Sequence, residues 1–432
     1  MMNRPRRTLL HSGVWLLALW PTLAAGLLGQ VSPAPFTWID PATGHRVIRL
    51  TDEPGTASLY FNDHGYTPDG KEMIYTTADG SVGVLTLSSL GAVAQRGKIE
   101  HRIMVQGPVA TIAVGHRTPT VFYTKAGADP LHGTLWSTNL ATGATQKLAD
   151  LPRRGRIVTI NADETLAAGM YIEGDGADYG GPATIQAHPL DQAPNKTQLM
   201  AERLARRLPM WIYTVDLKTG QPHNLLFGRD WLNHLQFSPA DPTLLMYCHE
   251  GEWQQVDRIW TIRTDGSQNR LMHHRTMQME IAGHEWWGAD GKTVWYQLDF
   301  PRFAPNAGMI ASLNVETGER VWYHDEPNTG SIHANTSPDG TLFCGDGDKR
   351  SPWIYLFHPH LVPDDRTLGT DLIKGGYVTS ERLVNMQKHD YKLEPNPSFT
   401  PDQKYIVFRA NWFGANYAYA VEVAKSSPTP TP

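Results

Sequence analysis

Cysteine is nearly absent from this chain: its 432 residues include only Cys248 and Cys344. Two cysteines can make at most one bridge, so no disulfide framework organises the fold. Both end strand-like stretches at equivalent places in different repeats, which favours two buried free thiols over a bridge. A strong charge of either sign is missing too, the formal net charge being −5. Bulk attraction to nucleic acid is therefore not expected, and no nucleic-acid partner is predicted. Apolar runs of membrane-spanning length are lacking, since the run near residues 9–23 is short and interrupted by His11, Ser12 and Pro21. Amphipathic crossover helices are also scarce, which disfavours a doubly wound α/β sheet.

What is abundant is Trp (14), Tyr (16), Gly (39) and Pro (31), a composition suited to many short strands joined by turns and to a sugar-binding surface. The first 29 residues combine a basic start, the short apolar run and the small residues Ala24, Ala25 and Gly26, and read as an export signal. Arg6 and Arg7 fit either a twin-arginine signal or the charged part of an ordinary one. The expected location is periplasmic or secreted, with no stable membrane insertion once the signal is removed. Residues 425–432, KSSPTPTP, are predicted to be a disordered tail.

Between these ends one unit recurs. Residues 66–75 (YTPDGKEMIY), 234–247 (HLQFSPADPTLLMY), 281–298 (IAGHEWWGADGKTVWYQL), 333–343 (HANTSPDGTLF) and 396–408 (NPSFTPDQKYIVF) each run a polar segment into a tight turn and an alternating strand. A second element, a strand ending in a polar Thr-Gly turn, is clearest in WIYTVDLKTG at residues 211–220 and is read as the outer strand of the unit. With His64, His116, Asn161, His234, His284, His333 and Asn396 as markers, seven units of about 50 residues emerge. Radial packing of seven small sheets buries faces that no sheet can shield alone. The predicted fold is all-β, a seven-bladed β-propeller over residues 33–424. An insertion at about 174–207, helical over residues 196–208, is expected to wall a binding site.

In a propeller, residues flanking the innermost strands converge on one end of the channel. His234, His284, His333, His64 and Asn396 would then meet, near Glu285, His249, Glu250, His389, Asp390 and Glu394. Such histidines can be structural hydrogen-bonding residues, or they can join the carboxylates in a metal or acid/base site. Arg206, Arg207, Arg302, Arg350 and Lys388 are basic groups that could bind an anion if several share a rim.

At this point the chain resembles the oligogalacturonate lyases of polysaccharide lyase family 22. The strings that carry the resemblance are LYF at Leu59, VDLKTG at Val215, CHEG at Cys248, GHEWW at Gly283, KHD at Lys388 and PSFTP at Pro397. The resemblance implies β-elimination on a uronic-acid oligosaccharide, an acidic partner, and a divalent metal, manganese in the family, held in part by His284. The family's His-Pro-His string is here Glu394-Pro395-Asn396, a harder donor set that favours Mn, Ca or Mg over Zn. His234 is expected as the base, His249 as its reserve, and Arg206 or Arg207 as charge stabilisers. His64, Arg302, His333, Arg350, Lys388 and His389 are expected on the substrate. The rival reading is a periplasmic propeller that binds a glycan or protein without chemistry, with a flat or apolar mouth.

Overall fold

The computed structural model describes residues 35–92, 98–129, 131–174, 196–363 and 371–425. The expected export signal, the first part of the 174–207 insertion and nearly all of the tail lie outside them. Strand follows strand throughout, each blade a four-stranded antiparallel meander whose first strand is innermost. Blade 1 starts at Ala57–Ser58, blade 2 at Ala110–Val114, blade 3 at Arg156–Ile160, blade 4 at Trp231–Phe237 and blade 5 at Ile281–Trp287. Blade 6 starts at Ala334–Thr336 and blade 7 at Ser398–Phe399. Blades 5 and 6 merge into one eight-stranded sheet because Arg320–His324 pairs in parallel with Lys374–Asn385. Seven blades are thus present among the described residues, a β-propeller.

The ring is closed by chain from the other end. Arg46–Arg49 supplies the fourth strand of blade 7, paired with Ala415–Glu422, and Thr37–Ile39 adds a fifth. Alternate side chains of this strand point to opposite neighbours. Val47 packs with Ile354 and Leu383 on the blade 6 side, and Ile48 with Met73 and Leu85 of blade 1; both are fully buried. Cys248 and Cys344 are free and buried. The WIYTVDLKTG string forms the third strand of blade 3, Met210–Asp216, rather than its outermost one, since Pro222–Gly228 lies outside it.

Backbone hydrogen bonds define which positions correspond from blade to blade. In every blade one amide closes the turn after the first strand: Thr67, Gly115, Asn161, Ser238, Gly288, Ser337 and Thr400 donate to Glu72, Thr120, Leu166, Leu244, Thr293, Leu342 and Tyr405. Four positions upstream stand Asp63, Thr111, Ile157, His234, His284, His333 and Asn396. The marker series is therefore corrected in three blades: His64, His116 and Asn161 are out of register with the other histidines. In blades 2 and 3 the turns lack the Pro-Asp-Gly spelling, so the distance from marker to turn could not be read there; in blade 1, where the turn reads TPDG at residues 67–70, the marker stands one residue too late.

Four members of this ring, Thr111, His234, His284 and Asn396, adopt φ values between 46° and 51°. At His234 and His284 the ladder slips, between Asn233 and Gln236 and between Gly283 and Trp286. Bulges of this kind turn a side chain out of the strand's alternation, and left-handed φ at a non-glycine residue is a strain the surroundings must hold. Both histidines are thereby swung from the blade faces.

Candidate active site

The bulge at His234 sets its ring against the second strand of blade 4. Its Nε2 lies 2.6 Å from Glu250 Oε1, and Arg258 donates to both oxygens of Glu250, at 3.0 and 3.2 Å. Glu250 and Arg258 are buried, and the Arg258 guanidinium lies 4.3 Å from the centre of the Trp253 ring. A carboxylate held by a buried arginine accepts, so the imidazole proton sits on Nε2 and the Nδ1 lone pair is left for other work. Burial pulls the His234 pKa down, but the bond to Glu250 and the charges of Glu285 and Glu250 outweigh it and hold the pKa above the ordinary value.

His284 is arranged the opposite way round. Gln297, directly across the ladder from Gly283, gives its amide proton to the Ser331 carbonyl, so its Oε1 faces His284 Nδ1 at 2.7 Å. Nδ1 must then be the donor, and Nε2 carries the lone pair. Burial first, then His333, push His284 well below its ordinary pKa, leaving a neutral ring of the kind that ligates metals. The glycine of GHEWW is required by this packing. A Cβ at Gly283 would stand 2.8 Å from the Trp253 ring and 2.9 Å from Arg258 Nε.

His333 is fully buried. Asp346 accepts its Nδ1 at 2.8 Å, and also the amides of Ile332 and His333 and the Ser331 hydroxyl. The Nε2 atom meets the Tyr60 hydroxyl at 3.2 Å, with Glu394 Oε2 at 3.8 Å. His284 and His333 rings are 4.5 Å apart, so His284, His333 and Glu394 do come together. Asn396 is buried, its amide nitrogen bonded to the Glu394 carbonyl and its Oδ1 without a partner.

The floor of this site is a segment of blade 1 that crosses to blades 5 and 6. Phe61, 1 % exposed, packs on His333, Trp286 and His284 at 4.8, 6.2 and 6.3 Å. Asn62 donates to the Glu285 carbonyl at 3.0 Å, and Asn335 donates to that of Phe61. A cavity of ≈ 720 Å³ opens beside it, with His284, Gln297, Trp253, Glu394, Arg302 and Arg350 among its lining residues. Met200 of helix α1 (Lys196–Arg206) also lines it.

Other expected site residues stand elsewhere. His249 binds Asp230 at 3.1 Å, Asp230 also holds Arg207, and Arg206 pairs with Glu202 on the helix at 3.9 Å. Both nitrogens of His389 bond backbone, the Leu393 carbonyl at 2.7 Å and the Asn411 amide at 3.4 Å. Lys388 is exposed, and Arg350 lies at the mouth beside Asp348 at 3.0 Å. His64 stacks on His116 at 4.7 Å in a second cavity of ≈ 390 Å³ that shares no lining residue with the first. The sequence reading had not singled out Tyr60, Gln297, Asp346 or Arg409 for the site. Arg409, in the second strand of blade 7, donates to the Glu394 carbonyl at 2.7 Å.

A family model described as oligogalacturonate lyase matches residues 204–427, more than half of the chain. The chain belongs to the oligogalacturonate lyase family. It is 28% identical over 231 residues to the oligogalacturonate lyase of Dickeya dadantii (strain 3937), and 28% identical over 232 residues to the oligogalacturonide lyase of Pectobacterium atrosepticum. Each match takes in 49% of this chain and 55% of the relative, so the chain spans about half the length of the curated relatives it matches. Two solved structures share its fold with a TM-score of 0.69. One, an oligogalacturonate lyase in complex with manganese, is 24% identical and superposes over 90% of this chain and 96% of its own. The other, from Vibrio parahaemolyticus, is 23% identical over 91% and 97%. The family match includes His234, Glu250, His284, His333, Glu394 and Asn396 but not Tyr60 or Phe61, which precede it.

Among the described residues, no three His, Cys, Asp or Glu side chains form a group that could hold a metal ion. The donors are instead the neutral imidazole of His284, the carboxylate of Glu394 and the buried, unpartnered amide oxygen of Asn396. Such a set suits a hard divalent cation that takes its remaining ligands from water and an acidic ligand.

Proposed function

We propose that the protein is a metal-assisted lyase that cleaves uronic-acid-containing oligosaccharides by β-elimination. Its substrate would be an oligogalacturonide or a glucuronate-bearing glycan, and its product a 4,5-unsaturated uronate. The observation that carries this reading is the pairing of two bulged histidines with opposite tautomers on adjacent blades, one of which, His284, lines the large cavity. His234 offers a basic Nδ1 backed by Glu250 and Arg258, and His284 offers a neutral Nε2 backed by Gln297.

The difficulty in the reaction is removal of the proton α to the C6 carboxylate, because negative charge then builds on that carboxylate. A divalent cation, Mn by preference with Ca or Mg as alternatives, would be held by His284, Glu394 and the Asn396 amide oxygen. When bound it would supply the charge that stabilises the enediolate-like transition state. His234 Nδ1 takes the C5 proton, and Glu250 stabilises the imidazolium that forms. Arg302 and Arg350 at the mouth, with Arg409 behind Glu394, draw and orient the acidic chain. The roomy mouth, lined by charged as well as apolar side chains, departs from the flat one expected of a purely docking propeller.

No helix among the described residues is long and apolar enough to cross a membrane. The signal-like start supports a periplasmic or secreted location, where acidic oligosaccharides are met. The test is a panel of uronic-acid oligosaccharides, with chelator and with added Mn, followed by the ultraviolet absorbance of the new C4=C5 bond. Absorbance should rise on at least one substrate and fall with chelator. A flat trace over the whole panel, with Mn present, would remove the lyase reading.

A further inference from the structure

We propose that Tyr60 is the acid of the elimination, giving its hydroxyl proton to the C4 oxygen as it leaves, with His333 and Asp346 holding it in place. This rests on the lyase reading above and goes beyond it, because that reading supplies a base and a charge sink but no proton for the leaving group. The side chains form a line. Asp346 is fully buried and fixed by three donors besides the His333 ring, the Ser331 hydroxyl and the amides of Ile332 and His333. It takes the His333 Nδ1 proton at 2.8 Å, which leaves Nε2 to meet the Tyr60 hydroxyl at 3.2 Å. His333 itself is fully buried and cannot touch substrate, whereas Tyr60 is only partly buried. Its ring lies 6.5 Å from that of His234 and belongs to the segment that floors the site.

A structural tyrosine on this segment would need only its ring, which packs on Phe61 at 4.8 Å. The hydroxyl is instead held by a histidine that has a buried carboxylate behind it, an arrangement that orients one O–H group. A phenol proton is a rotor: it rests on His333 Nε2 and can turn about the C–O bond into the site. Burial first, then the charges of Glu394, Glu285 and Asp346, push the phenol above its ordinary pKa, so it enters the reaction protonated.

The step balances within the site. The C5–H electron pair becomes the C4=C5 bond, and the C4–O bond breaks with its pair on oxygen. His234 Nδ1 holds the C5 proton, and Tyr60 gives its own to the departing oxygen. The tyrosinate then regains a proton from His234 through water, and no net proton is taken up.

Tyr60→Phe keeps the ring and its packing, and is expected to lower kcat on oligouronides by about 10²- to 10⁴-fold with KM little changed. On a uronide carrying fluoride at C4, which leaves without a proton, the variant should come within about threefold of the unaltered protein. In D2O the variant should still exchange the C5 hydrogen of recovered substrate, because His234 is intact. Equal losses on both substrates together with lost exchange would make Tyr60 structural and overturn the proposal, as would full activity on the oligouronide. An unaltered protein that neither exchanges nor eliminates on any uronide would instead bring down the lyase reading, and this proposal with it.

Discussion

Two histidines one blade apart do different work because different partners reach their rings. His234 meets a carboxylate through Nε2, and His284 meets an amide oxygen through Nδ1. The pH dependence should follow from the first of these contacts. A base works only while unprotonated, so activity falls as pH drops through the His234 pKa. Glu250 holds that pKa above the ordinary histidine value of 6.5, so the acid limb should lie above it. In Glu250→Gln the hydrogen bond can remain but the charge is gone, and the limb should move toward lower pH. The same change strands Arg258, which is buried and keeps its charge, and should cost about 3–5 kcal/mol in denaturant unfolding. A pH–rate profile of kcat/KM reads the first effect. An unmoved acid limb would mean that His234 is not the base.

At the scale of elements, the site depends on a short segment with no regular structure. Residues 60–63 leave the two-residue first strand of blade 1 and reach the walls of blades 5 and 6, where Phe61 joins a core cluster with Trp286, Phe343 and Tyr355. Phe61→Ala should cost about 3–5 kcal/mol, as for other large buried aromatics. It should also lower activity, because the rings of His284 and His333 lose the surface they rest on. A loss below about 1 kcal/mol in urea unfolding, with activity kept, would show that the segment is not packed as described. This segment also shows where reading the sequence stops. The strand–turn–strand unit is local, so turns such as SPDG at residues 337–340 and alternating strands made the blades legible. His234, His284, His333 and Asn396 were in register because each precedes such a turn. Tyr60 and Asp346 were not legible as partners of His333, since their contact spans 273 residues in one case and the role of either lies in a bond made after folding. The insertion announced a wall by its length, and its helix does contribute Met200. Nothing in its composition showed that Arg207 would be tied to Asp230.

For the molecule as a whole, a ring has no free edge only if its last blade closes. Blade 7 takes its first three strands from one end of the chain and its fourth from residues 46–49 near the other, so the contact of greatest sequence separation holds the circle shut. His45 reinforces it. Fully buried, it reaches the Glu422 carbonyl at 2.9 Å through Nδ1 and Glu381 at 3.3 Å through Nε2, bonding this strand to blades 7 and 6 together. Because blades pack on neighbours, opening this seam exposes the blade 6 and blade 1 faces that Val47 and Ile48 cover, and leaves Ala415–Glu422 as an unpaired edge ready to add foreign strands. Ile48→Ala should therefore cost about 2–5 kcal/mol by denaturant unfolding, the full range for a buried isoleucine, although it sits on the fourth strand of a blade. Deleting residues 1–50 should go further, giving a protein that scatters light and unfolds without a single cooperative transition. The catalytic groups lie on blades 1, 4, 5, 6 and 7, so the opened ring should lose activity even where individual blades keep their strands. A deletion that stays unaggregated, unfolds cooperatively and matches the intact chain would mean that the closure is dispensable and that the site is held by the remaining blades alone.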